Sequence, residues 1–244
     1  MNKIRLLTFA AVMVSLSCAM QSCLDDNDDI DRQRPTALVT VRPASDGSFT
    51  LQLDNTTTLY PTNVKTSPYG EKEVRALVNY TPESDLETEN KVHINWIDSI
   101  RTKTPVLTLG DENDSRYGND AIEIVNDWVT VAEDGYLTLR VRTLWGMTGK
   151  KHNINLLSGV NPENPFEFEL RHDAAGDVYG NLGDALIAFN LNVLANANTD
   201  NQTVKIKLNW KSFDGPKSTE FDLFIRPAAD KSVAFKADYN RYVE

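Results

Sequence analysis

The chain has 244 residues, of which 25 are Lys or Arg and 35 are Asp or Glu, so its formal charge at pH 7 is −10. An acidic surface repels nucleic acids and anionic lipid headgroups, and we therefore exclude both as direct partners. Only two cysteines and three histidines are present, which leaves little material for disulfides or zinc sites. The length is sufficient for two domains, each with its own hydrophobic core.

The first 22 residues are typical of a secretory signal. Two cations precede an apolar run that ends at Met20 and is too short to span a bilayer and remain there. Ser22 stands directly before Cys23, and this arrangement resembles the lipobox of a bacterial lipoprotein, in which the cysteine becomes the lipid-bearing first residue. Cys18 is a rival site, but no acidic run follows it. We predict a signal peptide over 1–22 and lipid attachment at Cys23.

An acidic tether follows the predicted lipid attachment site. Removal of the leader leaves 23 basic and 35 acidic residues and a single, acylated cysteine. Dense like charge keeps a chain extended, and the acidic run over 24–29 also resembles the export tags of surface lipoproteins in the Bacteroidetes. We expect residues 23–35 to be a tether that holds the protein to the outer membrane through its lipid. Cell-surface exposure is favoured, and retention on the periplasmic face is the alternative.

Residues 36–112 are predicted to form a small β-barrel. Apolar and polar residues alternate in several short segments, and Asp46-Gly47 supplies a hairpin turn between the first two. The alternating residues are Ala37, Val39, Val41, Phe49, Leu51, Leu53, Val74, Ala76, Val78, Tyr80, Val92, Ile94 and Trp96. The segment 102–109, broken at Pro105, is predicted to close the barrel. Four to six short strands over about 70 residues fit a small antiparallel barrel or sandwich.

A second β domain is predicted over 120–228, after a linker-like stretch at 110–120. Asp134-Gly135 gives a strong hairpin signal between two predicted strands, over 128–133 and 136–145. About seven alternating strands indicate an antiparallel β-sandwich with one solvated face per sheet. The predicted inward residues are Leu137, Leu139, Val141, Trp145, Ile154, Leu156, Phe166, Phe168, Leu170, Ile187, Phe189, Leu191, Val193, Val204, Ile206, Leu208, Trp210, Phe221, Leu223 and Ile225. A helical start is the alternative for 184–194, and the tail over 229–244 has no clear pattern.

These features together resemble the NigD-like lipoproteins of Bacteroides and Prevotella. The resemblance rests on the lipobox, the small barrel, the acidic junction and three stretches of the second domain, which are Gly135 to Leu139, Leu144 to Leu156 and Phe221 to Pro227. It covers essentially the whole mature chain. It implies an OB-like N-terminal domain, a C-terminal β-sandwich and a link to bacteriocin immunity, because the founding member is associated with a bacteriocin locus. It supplies no functional residues.

No catalytic motif is present, and we predict no catalytic residue, no metal site and no cofactor. The sequence lacks a Gly-x-Ser-x-Gly motif, and its only mature cysteine is the predicted lipid attachment site. The acids over 83–89 lack the spacing of a glycosidase pair, so a solvated loop is favoured. The stretch that begins at Asp111 starts like a calcium loop, but Arg116 stands where glycine is required. We therefore expect a protein that is not an enzyme.

Aromatic side chains provide the candidate ligand-binding residues, and the chain has four tryptophans, which are Trp96, Trp128, Trp145 and Trp210. Three lie on strand faces that are predicted to point inward, where packing is the usual role. Trp145 is of particular interest because it ends a strand beside Gly146, before a loop that leads to His152. We take Trp145 and His152 as the candidate ligand-binding residues, with core packing as the alternative for each.

One further site is suggested by the triplet Asp98-Ser99-Ile100, which resembles the O-glycosylation signal of the Bacteroidetes. Ser99 would carry the glycan, and an ordinary turn at a strand end is the alternative interpretation.

Two functions are consistent with the sequence. The first is binding of a macromolecule at the cell surface, such as a protein toxin in an immunity role. The second is binding of a glycan as an accessory lipoprotein. The residues do not identify the ligand or the oligomeric state.

Overall fold

A computed structural model of the chain describes residues 36–83, 90–146, 148–194 and 202–226. The predicted leader, Cys23, the tether, most of the acidic loop at 83–89 and the C-terminal tail lie outside the described residues. In the part that is described, no helix combines the length and apolar character needed to cross a membrane.

The first domain is a closed, five-stranded β-barrel. Its strands are β1 (Thr36–Pro43), β2 (Phe49–Gln52), β3 (Thr58–Pro61), β4 (Val74–Pro82) and β5 (Lys91–Ser99), in the spatial order β1-β2-β3-β5-β4. All neighbours are antiparallel except β3 and β5. Successive residues of a strand point to opposite faces, so every second residue of each strand points into the interior. The interior residues are Val39, Val41, Phe49, Leu51, Leu59, Val74, Ala76, Val78, Val92 and Ile94, which confirms the predicted barrel.

The second domain is a β-sandwich of two five-stranded sheets. Sheet I contains β6 (Arg101–Lys103), β13 (Asn181–Asn190), β10 (Tyr136–Trp145) and β8 (Glu123–Val125) in that order, with β9 (Val131–Glu133) also paired to β10. Sheet II has the order β15 (Gly215–Phe224), β14 (Thr203–Ser212), β12 (Glu167–Asp173), β11 (Asn153–Ser158) and β7 (Val106–Leu107). The predicted sandwich is confirmed, although three of its strand pairs are parallel rather than antiparallel.

The core between the two sheets is formed largely by the predicted inward residues. Its fully enclosed members include Leu137, Leu139, Val141, Leu156, Phe168, Leu170, Ile187, Phe189, Leu191, Ile206, Leu208, Leu223 and Ile225. Asp134 and Gly135 both have positive φ, as the tight β9-β10 hairpin requires. Val193 is an exception to the prediction, because it lies in a short 3₁₀ helix after β13 and is 48% exposed. The alternative of a helical start over 184–194 is wrong, since β13 runs to Asn190.

The segment that we predicted to close the barrel belongs to the sandwich instead. β6 pairs with β13 of sheet I, and β7 pairs with β11 of sheet II. The break at Pro105 therefore separates two strands that enter different sheets. Between β5 and β6, Ile100 is buried against Leu38 and Ala188, so the chain passes from barrel to sandwich without a linker.

The linker-like stretch at 110–120 also packs on the sandwich. It contains a 3₁₀ turn followed by a short helix, α1 (Asn113–Tyr117). Asn113 is buried; its side chain accepts from the amide of Leu109 and donates to the hydroxyl of Thr108. The polar composition of this stretch therefore reflects local hydrogen bonding rather than a domain boundary.

Barrel and sandwich are joined by a buried ionic network. The side chain of Arg75, on β4, is fully buried and donates to Oε1 of Glu133 at 2.5 Å and to the hydroxyls of Thr40 and Thr138. A second pair links Glu73 to Arg226 through two hydrogen bonds of 2.5 and 3.2 Å. Buried charges are tolerated when they are paired and hydrogen-bonded, as they are here.

The remaining members of this network confirm that its charges are compensated. The hydroxyl of Tyr136 donates to Glu73 at 2.5 Å, and burial raises the pKa of that phenol. Burial alone would raise the pKa of Glu73, but hydrogen bonds and charge from Arg226 lower it below its usual value. Arg42 pairs with Asp134 at the β9-β10 turn. The network therefore ties the barrel to the hairpin that begins β10.

Candidate functional site

The two predicted ligand-binding residues lie against each other. The rings of Trp145 and His152 are stacked, with centroids 4.1 Å apart and planes 22° apart. The indole Nε1 donates to the carbonyl of Gly183 at 3.0 Å. A Cβ atom on Gly183 would lie 2.6 Å from Cδ1 of the indole, so this glycine leaves the space that the ring occupies. The side chain of His152 is only 1% exposed.

A chain of hydrogen bonds continues from this stack into the protein. Nδ1 of His152 lies 2.9 Å from Nε2 of His172, and Nε2 of His152 lies 3.3 Å from Oδ2 of Asp177. Nδ1 of His172 faces the carbonyl oxygen of Ala121 at 3.2 Å. The same Asp177 oxygen accepts from the amide of Gly146. The cluster joins the ends of β10, β11 and β12 with the loop after β12.

The hydrogen-bond partners determine which ring nitrogens carry protons. A carbonyl oxygen only accepts, so Nδ1 of His172 must donate to Ala121. Burial lowers the pKa of His172, whose ring is therefore neutral at pH 7 and accepts at Nε2. Nδ1 of His152 consequently donates to His172. Nε2 of His152 faces Oδ2 of Asp177, and a carboxylate only accepts, so a proton on this nitrogen is directed at Asp177.

The carboxyl group of Asp177 is held in its charged form. Burial opposes ionisation of Asp177, but hydrogen bonds from Thr148, from the amide of Gly146 and from His152 hold the pKa of its carboxyl below the usual value. The indole of Trp145 is stacked on the imidazole ring of the same histidine. Both nitrogens of His152 are thus occupied by protein groups. The geometry indicates a structural cluster, and a ligand-binding role for Trp145 and His152 stays a prediction.

The structure also places the three histidines relative to possible metal sites. His152 and His172 meet, which their separation in sequence did not suggest, whereas His93 lies on the exposed side of β5. Over the described ranges, no group of three His, Cys, Asp or Glu side chains has an arrangement that would hold a metal ion.

The four tryptophans differ greatly in exposure. Trp210 is 9% exposed and belongs to the sandwich core, and Trp145 is half-buried in its stack with His152. Trp96 is 43% exposed and Trp128 is 60% exposed. Trp128 precedes the strand that we expected to contain it, because β9 begins only at Val131. The most exposed indole therefore lies in a turn.

Trp128 lines a groove at the junction of barrel and sandwich, which we call the seam groove. The groove has a volume of about 310 Å³ and is lined by Leu77 of β4, by Arg140, Asp184, Ala185 and Leu186 of sheet I, and by Asp127, Trp128 and Val129 of the turn. Its floor is continuous with a small apolar cluster between the two domains, which includes Leu38, Ile100, Ala188 and Leu186. Apolar walls with a few convergent polar groups are typical of binding sites.

A ladder of charges forms one side of the seam groove. Arg140 donates to Asp127 at 2.7 Å and to Asp184 at 2.7 Å, and Arg142 donates to Asp184 at 2.5 Å. Hydrogen bonds from Arg142 and Arg140 lower the pKa of Asp184 to about 2, so this carboxylate stays charged at physiological pH. Hydrogen bonds from the two aspartates raise the pKa of Arg140. Within the ladder, the two positive and two negative charges cancel.

The turn that carries Trp128 is held by several hydrogen bonds. Oδ1 of Asp127 accepts from the amide of Val129 at 3.1 Å. The hydroxyl of Thr130 donates to the carbonyl of Val125 and accepts from the amide of Arg140. The sequence signal for this turn is Asn126-Asp127, since such residues cap turns with their own side chains. The prediction of a strand over 128–133 did not take this turn into account.

The outer face of sheet II presents a different surface. It is polar, and its charges are paired with one another, as in Glu167 with Lys207 and Lys205 with Asp222. A shallow groove of about 510 Å³ lies here, lined by Asn119, Glu169, Asn209, Trp210, Lys211, Pro216, Lys217 and Ser218. Hydrogen bonds from Asn161, Asn209 and Lys207 lower the pKa of Glu167 to about 2. Polar side chains that satisfy one another indicate a solvated face.

Ser99, the predicted glycosylation residue, is the last residue of β5 and is exposed, whereas Ile100 beside it is buried. This serine is thus accessible, and its glycosylation stays a prediction.

Comparison with known protein families gives a match for each of the two domains. The sequence matches the NigD-like N-terminal OB domain over residues 38–100 and the NigD-like C-terminal β-sandwich domain over 105–223. These limits agree with the strand pairing, in which the barrel ends before Arg101. A search of curated proteins gives no match.

Several solved structures share the fold. A protein from Parabacteroides distasonis, described as toxin-related, is 30% identical, with a TM-score of 0.66 over 82% of this chain and 98% of that one. A NigD-like immunity protein from Bacteroides caccae is 25% identical, with a TM-score of 0.56 over 76% and 91%. A lipoprotein candidate from Bacteroides fragilis is 13% identical, with a TM-score of 0.51 over 80% and 100%, which shows the fold alone. With both domain matches in sequence order over most of its length, the chain belongs to the NigD-like family.

Proposed function

We propose that this protein is a non-enzymatic, outer-membrane-anchored lipoprotein that confers immunity by binding a protein toxin at the cell surface. The observation that carries the proposal is family membership together with 25% identity to a solved NigD-like immunity protein across 76% of the chain. The anchor in this proposal is the lipid on Cys23, and the acidic stretch that follows it keeps the folded part away from the membrane.

The form of the molecule supports a binding role. The network around Arg75 and Glu73 fixes the barrel to the sandwich, so that a surface built from both domains is preorganised. A preorganised surface loses less conformational entropy on association than a mobile one does. At that junction, the seam groove exposes a tryptophan and an arginine, two of the residue types that contribute most to protein interfaces.

A glycan ligand is the second candidate, and one observation favours it. The indole of Trp128 is 60% exposed and stands beside Asp127 and Arg140, and sugar-binding proteins combine flat apolar rings with planar hydrogen-bonding groups in this way. Affinity electrophoresis in polysaccharide gels separates the two candidates. A glycan ligand predicts retardation that Trp128→Ala removes. Retardation that is lost only in Trp145→Ala would assign the sugar to the cluster at the end of β10.

The immunity proposal is tested by deleting the gene and exposing the cells to bacteriocins secreted by related strains. We expect increased sensitivity to at least one of them, restored by the intact gene. Complementation with Cys23→Ala is the matched control for anchoring, since it leaves the described residues unchanged. Unaltered sensitivity across a broad panel of strains would contradict the immunity role.

A further inference from the structure

We propose that the seam groove is the docking surface of this protein and that its partner is a basic, amphipathic polypeptide segment, one that presents apolar side chains together with lysine or arginine. This inference rests on the proposed function and adds to it the surface and the chemistry of the partner.

A large apolar group is exposed in the groove. Trp128 is 60% exposed on a turn whose backbone is held by hydrogen bonds at Asp127 and Thr130. An aromatic side chain has few rotatable bonds, so it gains contact area on association at a low entropic cost. The alternative of packing inside this chain is excluded for Trp128 by its exposure.

The barrel face that bears Leu77 also carries a second exposed indole. Leu77, which lines the groove, is paired with Asp98, and Asn79 is paired with Trp96. Residues directly opposite each other in antiparallel strands point to the same face. Trp96 and Asp98 therefore lie on the outer face of the barrel with Leu77, outside the groove lining, and Trp96 is 43% exposed. The groove and the barrel face that shares Leu77 with it thus have one exposed tryptophan from each domain.

The charge of the protein favours a basic partner. The ladder of Arg140, Arg142, Asp127 and Asp184 is neutral in sum, and its members are bonded to one another. Asp98 is exposed, and no described residue forms a salt bridge with it. The chain as a whole carries a formal charge of −10. Long-range attraction therefore favours a basic partner, and exposed indoles also bind cations through their ring faces.

The outer face of sheet II can be compared with the seam groove. The outer face of sheet II has charges that pair with each other, and Trp210, which lines its groove, is a core residue that is only 9% exposed. This face therefore lacks an exposed indole of the kind that Trp128 provides in the seam groove. For this reason we place docking at the seam groove.

The test uses the mature chain with Cys23→Ser, which keeps every described residue and omits the lipid. The probe is a synthetic amphipathic peptide of Lys and Leu, compared with a Glu and Leu peptide that has the same apolar face. We expect the basic peptide to bind, as measured by calorimetry and tryptophan fluorescence, and the acidic peptide not to bind. We expect Trp128→Ala to weaken binding at least tenfold, and Asp98→Asn to weaken it less and to reduce its salt dependence.

Tyr179→Ala is the matched control, because this aromatic is 83% exposed and does not line the groove. The affinity of this variant for the basic peptide should equal that of the starting protein. Equal binding of both peptides, or undiminished binding by Trp128→Ala, would overturn the inference. Displacement of the basic peptide by a neutral polysaccharide would also overturn it, in favour of a glycan site.

The same variant separates failure of this inference from failure of the proposed function. If cells that carry Trp128→Ala in the intact, lipidated chain keep full bacteriocin protection, immunity holds and the assignment of the seam groove is wrong. If the wild-type gene protects against nothing while the purified chain still binds the basic peptide through Trp128, the docking surface holds and immunity is wrong.

Discussion

The imidazole of His152 is stacked on the indole of Trp145 and lies between a histidine and a carboxylate, with Nδ1 facing Nε2 of His172 and Nε2 facing Oδ2 of Asp177. We expect ¹⁵N NMR at pH 7 to show a neutral His172 whose proton is on Nδ1, because burial lowers its pKa and the carbonyl of Ala121 only accepts. An unprotonated Nδ1 on His172 would contradict this assignment.

The pH dependence of stability should reflect His172. Burial lowers its pKa from 6.5 in the folded protein, so the unfolded chain binds more protons just below that value, and acid then favours unfolding. We expect the free energy of unfolding in urea to fall as the pH decreases below 6.5. His172→Gln, which retains one donor and one acceptor, should show a shallower decrease. His93→Gln, at an exposed site, should follow the wild type, and an identical slope in all three proteins would refute the explanation.

Gly135, at the β9-β10 turn, is required for two reasons, which are its positive φ and the lack of space for a Cβ atom. A matched pair of variants can separate them. Gly135 has a φ of +75°, and a Cβ atom there would lie 1.9 Å from Oδ1 of Asn192. Gly149 has a φ of +77° with no atom near enough to collide. We expect Gly149→Ala to cost ~1 kcal/mol in unfolding free energy from backbone strain alone. Gly135→Ala should cost ~2–4 kcal/mol, because overpacking is added, and equal losses in denaturant titrations would argue against the collision.

The buried pair of Arg75 and Glu133 should matter much more than a surface pair. Removal of Arg75 leaves Glu133 and two hydroxyls without their donor, so Arg75→Ala should destabilise the protein by ~3–5 kcal/mol. Lys205→Ala, which breaks pairs that are more than half exposed, should cost at most ~0.5 kcal/mol. Because Arg75 joins the two domains, we also expect its loss to split a single calorimetric transition into two. Similar losses in both variants would contradict the role of the network.

The predicted lipid attachment is tested directly by Cys23→Ala. We expect the wild-type protein to incorporate labelled palmitate and to partition into the detergent phase of Triton X-114, and we expect the variant to do neither. Cys18→Ala is the control and should behave like the wild type. Labelling that persists in Cys23→Ala and disappears in Cys18→Ala would move the lipid to the rival site.

Much of the fold follows from local pattern. The alternation at Val39, Val41 and Val74 predicts which side of each strand is buried, because successive side chains in a strand point to opposite faces. Asp134-Gly135 predicts its hairpin because few residue pairs adopt two positive φ values in succession. The assignment of 102–109 to the barrel failed because short strands carry no information about which sheet they enter.

The candidate sites depended more strongly on tertiary contacts. The sequence predicts Trp145 and His152 only as neighbours of one loop, and the structure shows them stacked, with His172 and Asp177 completing the cluster. Trp128 was assigned to a strand, and only the turn made by Asp127 shows why its indole is exposed.

The sequence by itself determined the β architecture, the two-domain order and the family, since these depend on the spacing of apolar residues and on turn chemistry over short stretches. The tertiary structure alone decided where the domains meet and what lies at that junction. Leu77, Trp128 and Asp184 are far apart in the chain and line one groove. The reason is that the pairing of strands distant in sequence is set by the packing of the whole core, which no local pattern specifies.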